Sequence, residues 1–170
     1  TGKVTRNLRF KASLANHLQE SRTVSPPTGN EVQVAVRATG ICGSDLHYYN
    51  HGRNGDFVLR QPMVPGHESS GVVTAVGPDV KTLRVGDRVA LEVGVPCGGC
   101  LFCKQDRYNL CVNMRFRSSA KVFPHFDGTL MEITNHPEHM CHKLPDNVSF
   151  LGGALAEPLA VCLHAVRRSR

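Results

Sequence analysis

The 170-residue sequence has no low-complexity tract, no internal repeat and no apolar run near the roughly 20 residues that cross a bilayer. Those absences argue against a repeat solenoid, a disordered tail and a membrane-spanning helix. There is also no Gly-x-Gly-x-x-Gly, so no segment offers the glycine-rich turn that seats the pyrophosphate of a dinucleotide. Long helical periodicity is missing over most of the length, while 16 glycines and 10 prolines punctuate it. That combination favours many short strands joined by turns. The formal net charge is +6, but the basic residues are scattered apart from Arg167-Arg168-Ser169-Arg170. A solvated surface explains them better than a nucleic-acid footprint does. Two separated cysteine pairs, the usual pattern of a zinc-ribbon nucleic-acid module, are lacking as well. Neither a nucleic-acid nor a membrane partner is expected.

Cysteine is what the sequence does have. Seven cysteines, an odd number at tight spacing, read as metal ligands rather than disulfides. With no signal-peptide pattern in the first residues, the expected compartment is reducing, the cytosol being the default. At 41% hydrophobic and 20% charged, a chain of this length can bury a real apolar core as one domain.

In order, the chain reads as a strand around Leu8-Arg9-Phe10, then an irregular polar stretch closed by Ser25-Pro26-Pro27-Thr28-Gly29. Residues 31–39 alternate polar and apolar side chains, as a half-buried strand does. Gly40 follows, and Ser44 or Asp45 can cap a short helix carrying Leu46 to Tyr49. Residues 50–55 read as a loop, 69–77 and 88–93 as strands, and 94–117 as a metal-stapled lobe. Further short strands are expected at 129–134 and 140–144, with a turn beginning at His136-Pro137. From Phe150, apolar residues recur at helical spacing, and Pro158 should interrupt that helix just after Glu157.

Three constellations carry possible chemistry. Cys97, Cys100, Cys103 and Cys111 supply four thiolates within fifteen residues, and Gly98 and Gly99 let the backbone wrap closely. With sulfur at all four positions and none left for water, such a site is structural; buried or reactive thiols without metal are the alternative. Cys42, His67 and a glutamate, Glu68 or Glu157, form a mixed sulfur, nitrogen and oxygen set that suits zinc with one position open. Pro65 and Gly66 make the bend that lets His67 and Glu68 serve one site. The third cluster, His136, His139, Cys141 and His142, is weaker, because Cys141 and His142 are adjacent in an expected strand and face opposite ways. Cys162, on the apolar face of the last helix, is expected to be packing.

Taken in order, Cys42-Gly43-Ser44-Asp45, Gly66-His67-Glu68, the four-cysteine run and Glu157-Pro158-Leu159 resemble the zinc-containing medium-chain alcohol dehydrogenases. His47-Tyr48-Tyr49, residues 51–57, residues 143–148 and Gly153-Ala154-Leu155 are most similar to the polyol branch, typified by sorbitol (L-iditol) dehydrogenase. The resemblance implies a mainly β, GroES-like, partly open barrel at 1–149 with a zinc-stapled lobe. Residues 150–170 would then be a connecting helix towards a nucleotide-binding domain expected beyond Arg170. It implies one structural and one catalytic zinc, the latter on Cys42, His67 and Glu68, with Glu157 reaching it through water or contacting substrate. Ser44 and His47 would relay a proton, Asp45 would hold the imidazole in place, and Tyr48 and Phe57 would line the substrate pocket. For these residues the alternatives are a surface histidine, a helix cap and plain core packing. The implied reaction oxidises a secondary alcohol of a sorbitol- or xylitol-type sugar alcohol to a ketose, with hydride passing to NAD or NADP. Family members of full length are expected to be homo-oligomers. The alternative reading is a zinc-stabilised binding or structural domain without turnover.

Overall fold

The computed structural model describes residues 2–10 and 17–169. Strands β1 (Lys3–Phe10) and β2 (His17–Val24) form an antiparallel hairpin, with Lys3 opposite Val24. The sequence reading places only one strand here. Residues 17–24 lack an apolar alternation, yet they pair along all of β1, and that ladder supplies the backbone bonds a polar strand needs. Residues 11–16 lie outside the described residues.

Strand β3 (Glu31–Gly40) runs as its alternation predicts, with Val32 and Val34 fully buried. Gln33 points the other way and is buried too. Its amide donates to Ser25 O (3.3 Å) and Asn135 Oδ1 (3.2 Å), which offsets the cost of desolvating it. Helix α1 (Gly43–His51) follows and is closed by Gly52 in the left-handed region at φ 64°. The expected loop at 50–55 is shorter than read. The helix reaches His51, and β4 (Arg53–Asn54) pairs with β5 (Phe57–Val58) across a two-residue turn, Gly55-Asp56.

The remaining elements are β6 (Glu68–Val76), β7 (Arg88–Leu91), β8 (Gly94–Val95), α2 (Leu101–Lys104), β9 (Arg115–Phe116), β10 (Ile133–Pro137), β11 (Cys141–Lys143), α3 (Phe150–Ala154) and α4 (Ala156–Arg168). Five strands form one antiparallel sheet in the order β10-β3-β6-β7-β11, open at both edges. Val32, Val34, Val73, Leu83, Val89, Leu91, Val93 and Cys141 make its core. Tyr48, Leu59, Met63 and Ala120 form a second, smaller cluster. The architecture is mainly strands with short helices, as expected. Among the described residues no helix is long and apolar enough to cross a membrane.

Three local expectations shift. The strand expected at 129–134 begins only at Ile133, because residues 128–130 bond a different segment. Gly128, Thr129 and Leu130 donate to the carbonyls of Val64, Gly66 and Pro65. His136 and Pro137 lie in β10 rather than in a turn; β10 is an edge strand, where proline's missing donor is tolerated. Pro158 does interrupt the last helix, but upstream of Glu157. Its missing N–H would have bonded the carbonyl of Ala154, and the break falls at Leu155, between α3 and α4. Glu157 and Pro158 therefore sit in the first turn of α4, where proline costs little. Helix α3 packs on the sheet, with Gly153 and Ala154 buried, Ser70 Oγ bonded to Phe150 O and Arg88 over the Phe150 ring at 4.7 Å. Helix α4 leaves Leu159, Val161, Leu163 and Val166 exposed. Cys162 is exposed with them, contrary to its expected packing role.

The turn after β6 is held by one side chain. Glu138 accepts from the N–H groups of Lys81, Thr82 and Leu83 and from Thr82 Oγ1. Burial by itself would raise its pKa, but these donors outweigh it and hold the carboxyl at about 2, against 4.5 ordinarily. A depressed folded-state pKa means the contribution is complete above pH 4.5 and is lost as the pH falls towards 2. Glu138→Gln is expected to lower Tm at neutral pH by a few degrees, at about 2–4 °C per kcal/mol. It should also flatten the acid limb of the stability curve between those two pH values, as read by thermal melts across the range.

Candidate metal centre

Two strand ends and a helix start build the site. In the β3–β6 ladder Gly40 lies opposite Glu68, so Cys42, two residues beyond β3, meets the residues that open β6. A Cβ at Gly40 would displace the Glu68 carboxylate from its place in the site. Gly66 makes the bend before His67 at φ 91°, where Thr39 and Leu130 also leave no room for a side chain. The result brings the ligand atoms of Cys42, His67 and Glu68 within 4.8 Å of one another. His67 is buried, and Cys42 and Glu68 are partly so.

Asp45 ties these pieces together. Cys42 is the N-cap of α1 and Asp45 the third helical residue, so the expected capping role falls to the carboxylate reaching back. Its Oδ2 accepts from Cys42 N–H (3.1 Å), and its Oδ1 accepts from Gly66 N–H (3.0 Å) and Ser118 Oγ (2.8 Å). His67 Nδ1 lies 3.8 Å from the same Oδ1, within ion-pair range but beyond hydrogen-bond reach. That nitrogen is the buried side-chain N or O left without a hydrogen-bond partner among the described residues. With Nδ1 directed at Asp45, the imidazole shares its site with the Cys42 thiol and the Glu68 carboxylate, the donor chemistry of a metal site with a carboxylate behind the histidine. The donor set fits zinc, with one position of a tetrahedron left free.

Glu157 is half-buried beside this group. Burial pushes its carboxyl above the usual range and the Glu68 carboxylate adds to that, while His67 opposes it. Phe116 meets the His67 ring edge-on at 5.4 Å. A cleft of about 680 Å³ opens alongside, between the sheet, the cysteine lobe and α4, with Val93, Gly94, Phe116, Glu157 and Val161 in its wall. Ser44 is partly buried and His47 exposed, one helical turn apart on α1. Phe57 is exposed on the β4–β5 hairpin. Tyr48 departs from its expected place in the substrate pocket. It is 2% exposed in the second core cluster, and its Oη accepts from Ala120 N–H at 3.0 Å.

The second group of ligand-type side chains is Cys97, Cys100, Cys103 and Cys111, again within 4.8 Å of one another. Gly98 turns at φ 70°, Cys97 N–H donates to Cys111 Sγ (3.3 Å), and Cys100 and Cys103 sulfurs lie 3.5 Å apart. The backbone N–H of Cys103 holds the Cys100 thiol down at about 6, while burial and the neighbouring sulfurs push Cys103 up to about 12. Four sulfurs and no oxygen or nitrogen ligand fit a closed structural zinc. The histidine cluster at 136–142 does not assemble. His136 is fully buried against Arg117 and the Glu92 carbonyl, Cys141 is in the core, and His142 is exposed and paired with Glu92 at 2.8 Å.

The family model described as the alcohol dehydrogenase GroES-like domain matches residues 28–146. The chain belongs to that family. A protein named Probable D-xylulose reductase A from Arthroderma otae is 54% identical over 140 residues, covering 82% of this chain and 38% of that protein. D-xylulose reductase A from Aspergillus oryzae is 50% identical over the same length and shares. Among solved structures, L-idonate 5-dehydrogenase from Escherichia coli superimposes with a TM-score of 0.87 at 36% identity, over 98% of this chain and 47% of that one. The chain thus spans well under half the length of the curated relatives it matches.

Sequence reasoning missed Gly40, Arg117 and Ser118, whose parts in the site depend on contacts that no local motif announces. For the lobe the expected outcome is simple. Cys103→Ser should lower bound zinc by one equivalent and destabilise the fold, because metal binding and folding are coupled there. Elemental analysis and a thermal melt on the purified variant check both.

Proposed function

We propose that this chain is the metal-binding catalytic portion of a zinc- and nicotinamide-dependent polyol dehydrogenase. It would interconvert a secondary alcohol of a sorbitol- or xylitol-type sugar alcohol and the matching ketose. The observation that carries this reading is the assembly of Cys42, His67 and Glu68 at one point with Glu157 beside them. The relatives' names, D-xylulose reductase and L-idonate 5-dehydrogenase, support polyhydroxylated substrates, and the first of them favours the ketose–polyol pair.

Cys42, His67 and Glu68 would hold the zinc, with a second, structural ion on the four cysteines. When bound in the open site, zinc supplies Lewis acidity that makes an alcohol oxygen easier to deprotonate. The chain's own residues do the rest. Ser44 and His47, a turn apart, pass the released proton towards solvent. Glu157, its carboxyl raised by burial, meets substrate hydroxyls or a bridging water. Phe116 and Val93 exclude water on the cleft side, and Phe57 on its hairpin is the aromatic contact available to the substrate's far end. Hydride goes to NAD or NADP, whose seat would lie in a domain reached through α4. A second reading, a zinc-stabilised binding domain without turnover, is favoured only by the lack of Gly-x-Gly-x-x-Gly in these 170 residues.

Two experiments separate these readings. Residues 1–170 alone should bind zinc but show negligible NAD(P)-dependent xylitol or sorbitol oxidation, since hydride transfer needs the nicotinamide held against the carbon. Joining them to a nucleotide-binding domain should restore turnover; a zinc-loaded but inert fusion favours the second reading. In an active fusion, Glu68→Gln is expected to lose one zinc equivalent. Glu157→Gln should keep both equivalents and lower kcat/KM by about tenfold or more, on the scale of a lost acid–base or positioning group. The reverse pattern would exchange the roles of the two glutamates.

A further inference from the structure

The segment leaving the cysteine lobe sends two side chains, Phe116 and Ser118, to the open metal site, with a buried arginine between them. Phe116 lies against the His67 ring. Arg117 is locked in place: its N–H donates to Val93 O, and its guanidinium donates to His136 Nδ1 (3.1 Å), Asp127 O (3.1 Å) and Asn135 O (2.5 Å) beneath the Phe126 ring. Ser118, 3% exposed, donates its N–H to Phe126 O (2.9 Å) and its hydroxyl to Asp45 Oδ1 at 2.8 Å. Its backbone has φ 59°, a left-handed conformation that costs a non-glycine residue about 1 kcal/mol or more. Glycine would be the cheaper residue at such a position, yet serine stands there with its hydroxyl on the carboxylate that grips Cys42 N–H and Gly66 N–H.

We propose that Ser118 is a positioning residue of the Cys42–His67–Glu68 site, acting through Asp45. The inference rests on the metal-site reading above and extends it to a residue 73 positions away in sequence. By occupying the free side of Oδ1, the hydroxyl fixes the rotamer of Asp45. With that rotamer fixed, the carboxylate orients two ligand-bearing backbone segments and faces the imidazole. Arg117 and its buried bonds anchor Ser118 so that this geometry is built before any metal arrives.

The test compares Ser118→Ala and Ser118→Gly in the 170-residue chain. Zn2+ alone is titrated in competition with a chromophoric chelator, Co2+ alone is used for visible spectra, and thermal melts are recorded. Both variants lose the hydroxyl, but only glycine relieves the backbone. The expected result is that both weaken one metal equivalent by about tenfold to a hundredfold, the scale for groups that orient ligands. Both should shift the Co2+ bands of that equivalent and leave the other, four-sulfur equivalent unchanged. Ser118→Gly should melt no lower than Ser118→Ala, so lost affinity in it cannot be blamed on unfolding. Ser119→Ala removes an Oγ that among the described residues bonds only the Lys121 N–H, and it should match wild type in every readout. Unchanged affinity and spectra in both Ser118 variants overturn the proposal. Retention in Ser118→Gly with loss in Ser118→Ala also overturns it, assigning the effect to backbone strain. Wild-type chain that binds only the four-sulfur equivalent overturns the metal site itself, and the role of Ser118 with it.

Discussion

The buried carboxylate of Asp45 is the constraint on which the site depends. A charge at 2% exposure is tolerated only if its lone pairs are engaged, and here Cys42 N–H, Gly66 N–H and Ser118 Oγ engage them. Each bond to a charged acceptor contributes about 1.5–3 kcal/mol, and losing one leaves the charge partly unsatisfied. The same three bonds join the start of α1, the bend before β6 and the exit of the cysteine lobe. Removing the carboxylate would release all three at once. In this molecule the stability of the fold and the geometry of the site are the same set of contacts.

The sheet brings the ligands near one another, and the loops then aim them. Pairing of Gly40 with Glu68 closes the sequence gap between Cys42 and His67 through an antiparallel ladder whose register shifts between Val36 and Ala38. What the ladder cannot do is turn two adjacent residues, His67 and Glu68, towards one point, since neighbours in a strand face apart. The bend at Gly66 does that, and three backbone donors from residues 128–130 hold the bend from outside. The segment expected as a strand there is thus committed to supporting the site instead.

How legible this was depended on whether the physics was local. The four-cysteine lobe could be read from spacing, because metal ligands close in sequence leave few other arrangements. The strand at 31–39 could be read from alternation, whereas the meeting of Cys42 and His67 was expected from their residue types and the family resemblance. Strand β2 could not, since its pairing with β1 replaces the apolar pattern that would have announced it. Tyr48 was placed by resemblance in a pocket, but it clusters with Leu59, Met63 and Ala120, and Ala120 is 72 residues away. Arg117 and Ser118 sit in a stretch with no periodicity, and their partners lie between 8 and 73 residues away. Nothing in the local sequence carries that information.

The charge inventory of the site makes the strongest case for a cation. Glu68, Glu157 and Asp45 bring three carboxyl groups to a half-buried region, with a cysteine thiol among them. The imidazole of His67 is the basic group facing them. Asp45 is satisfied by neutral donors, but Glu157 shows the strain of the arrangement: burial and the nearby Glu68 both favour its protonated form. Carboxyl groups gathered in this way would ordinarily be neutralised by a lysine or arginine. The buried arginine at hand, Arg117, is instead spent on His136 and two carbonyls. A divalent ion held by Cys42, His67 and Glu68 would resolve the conflict, because its charge would balance the carboxyl groups gathered around it.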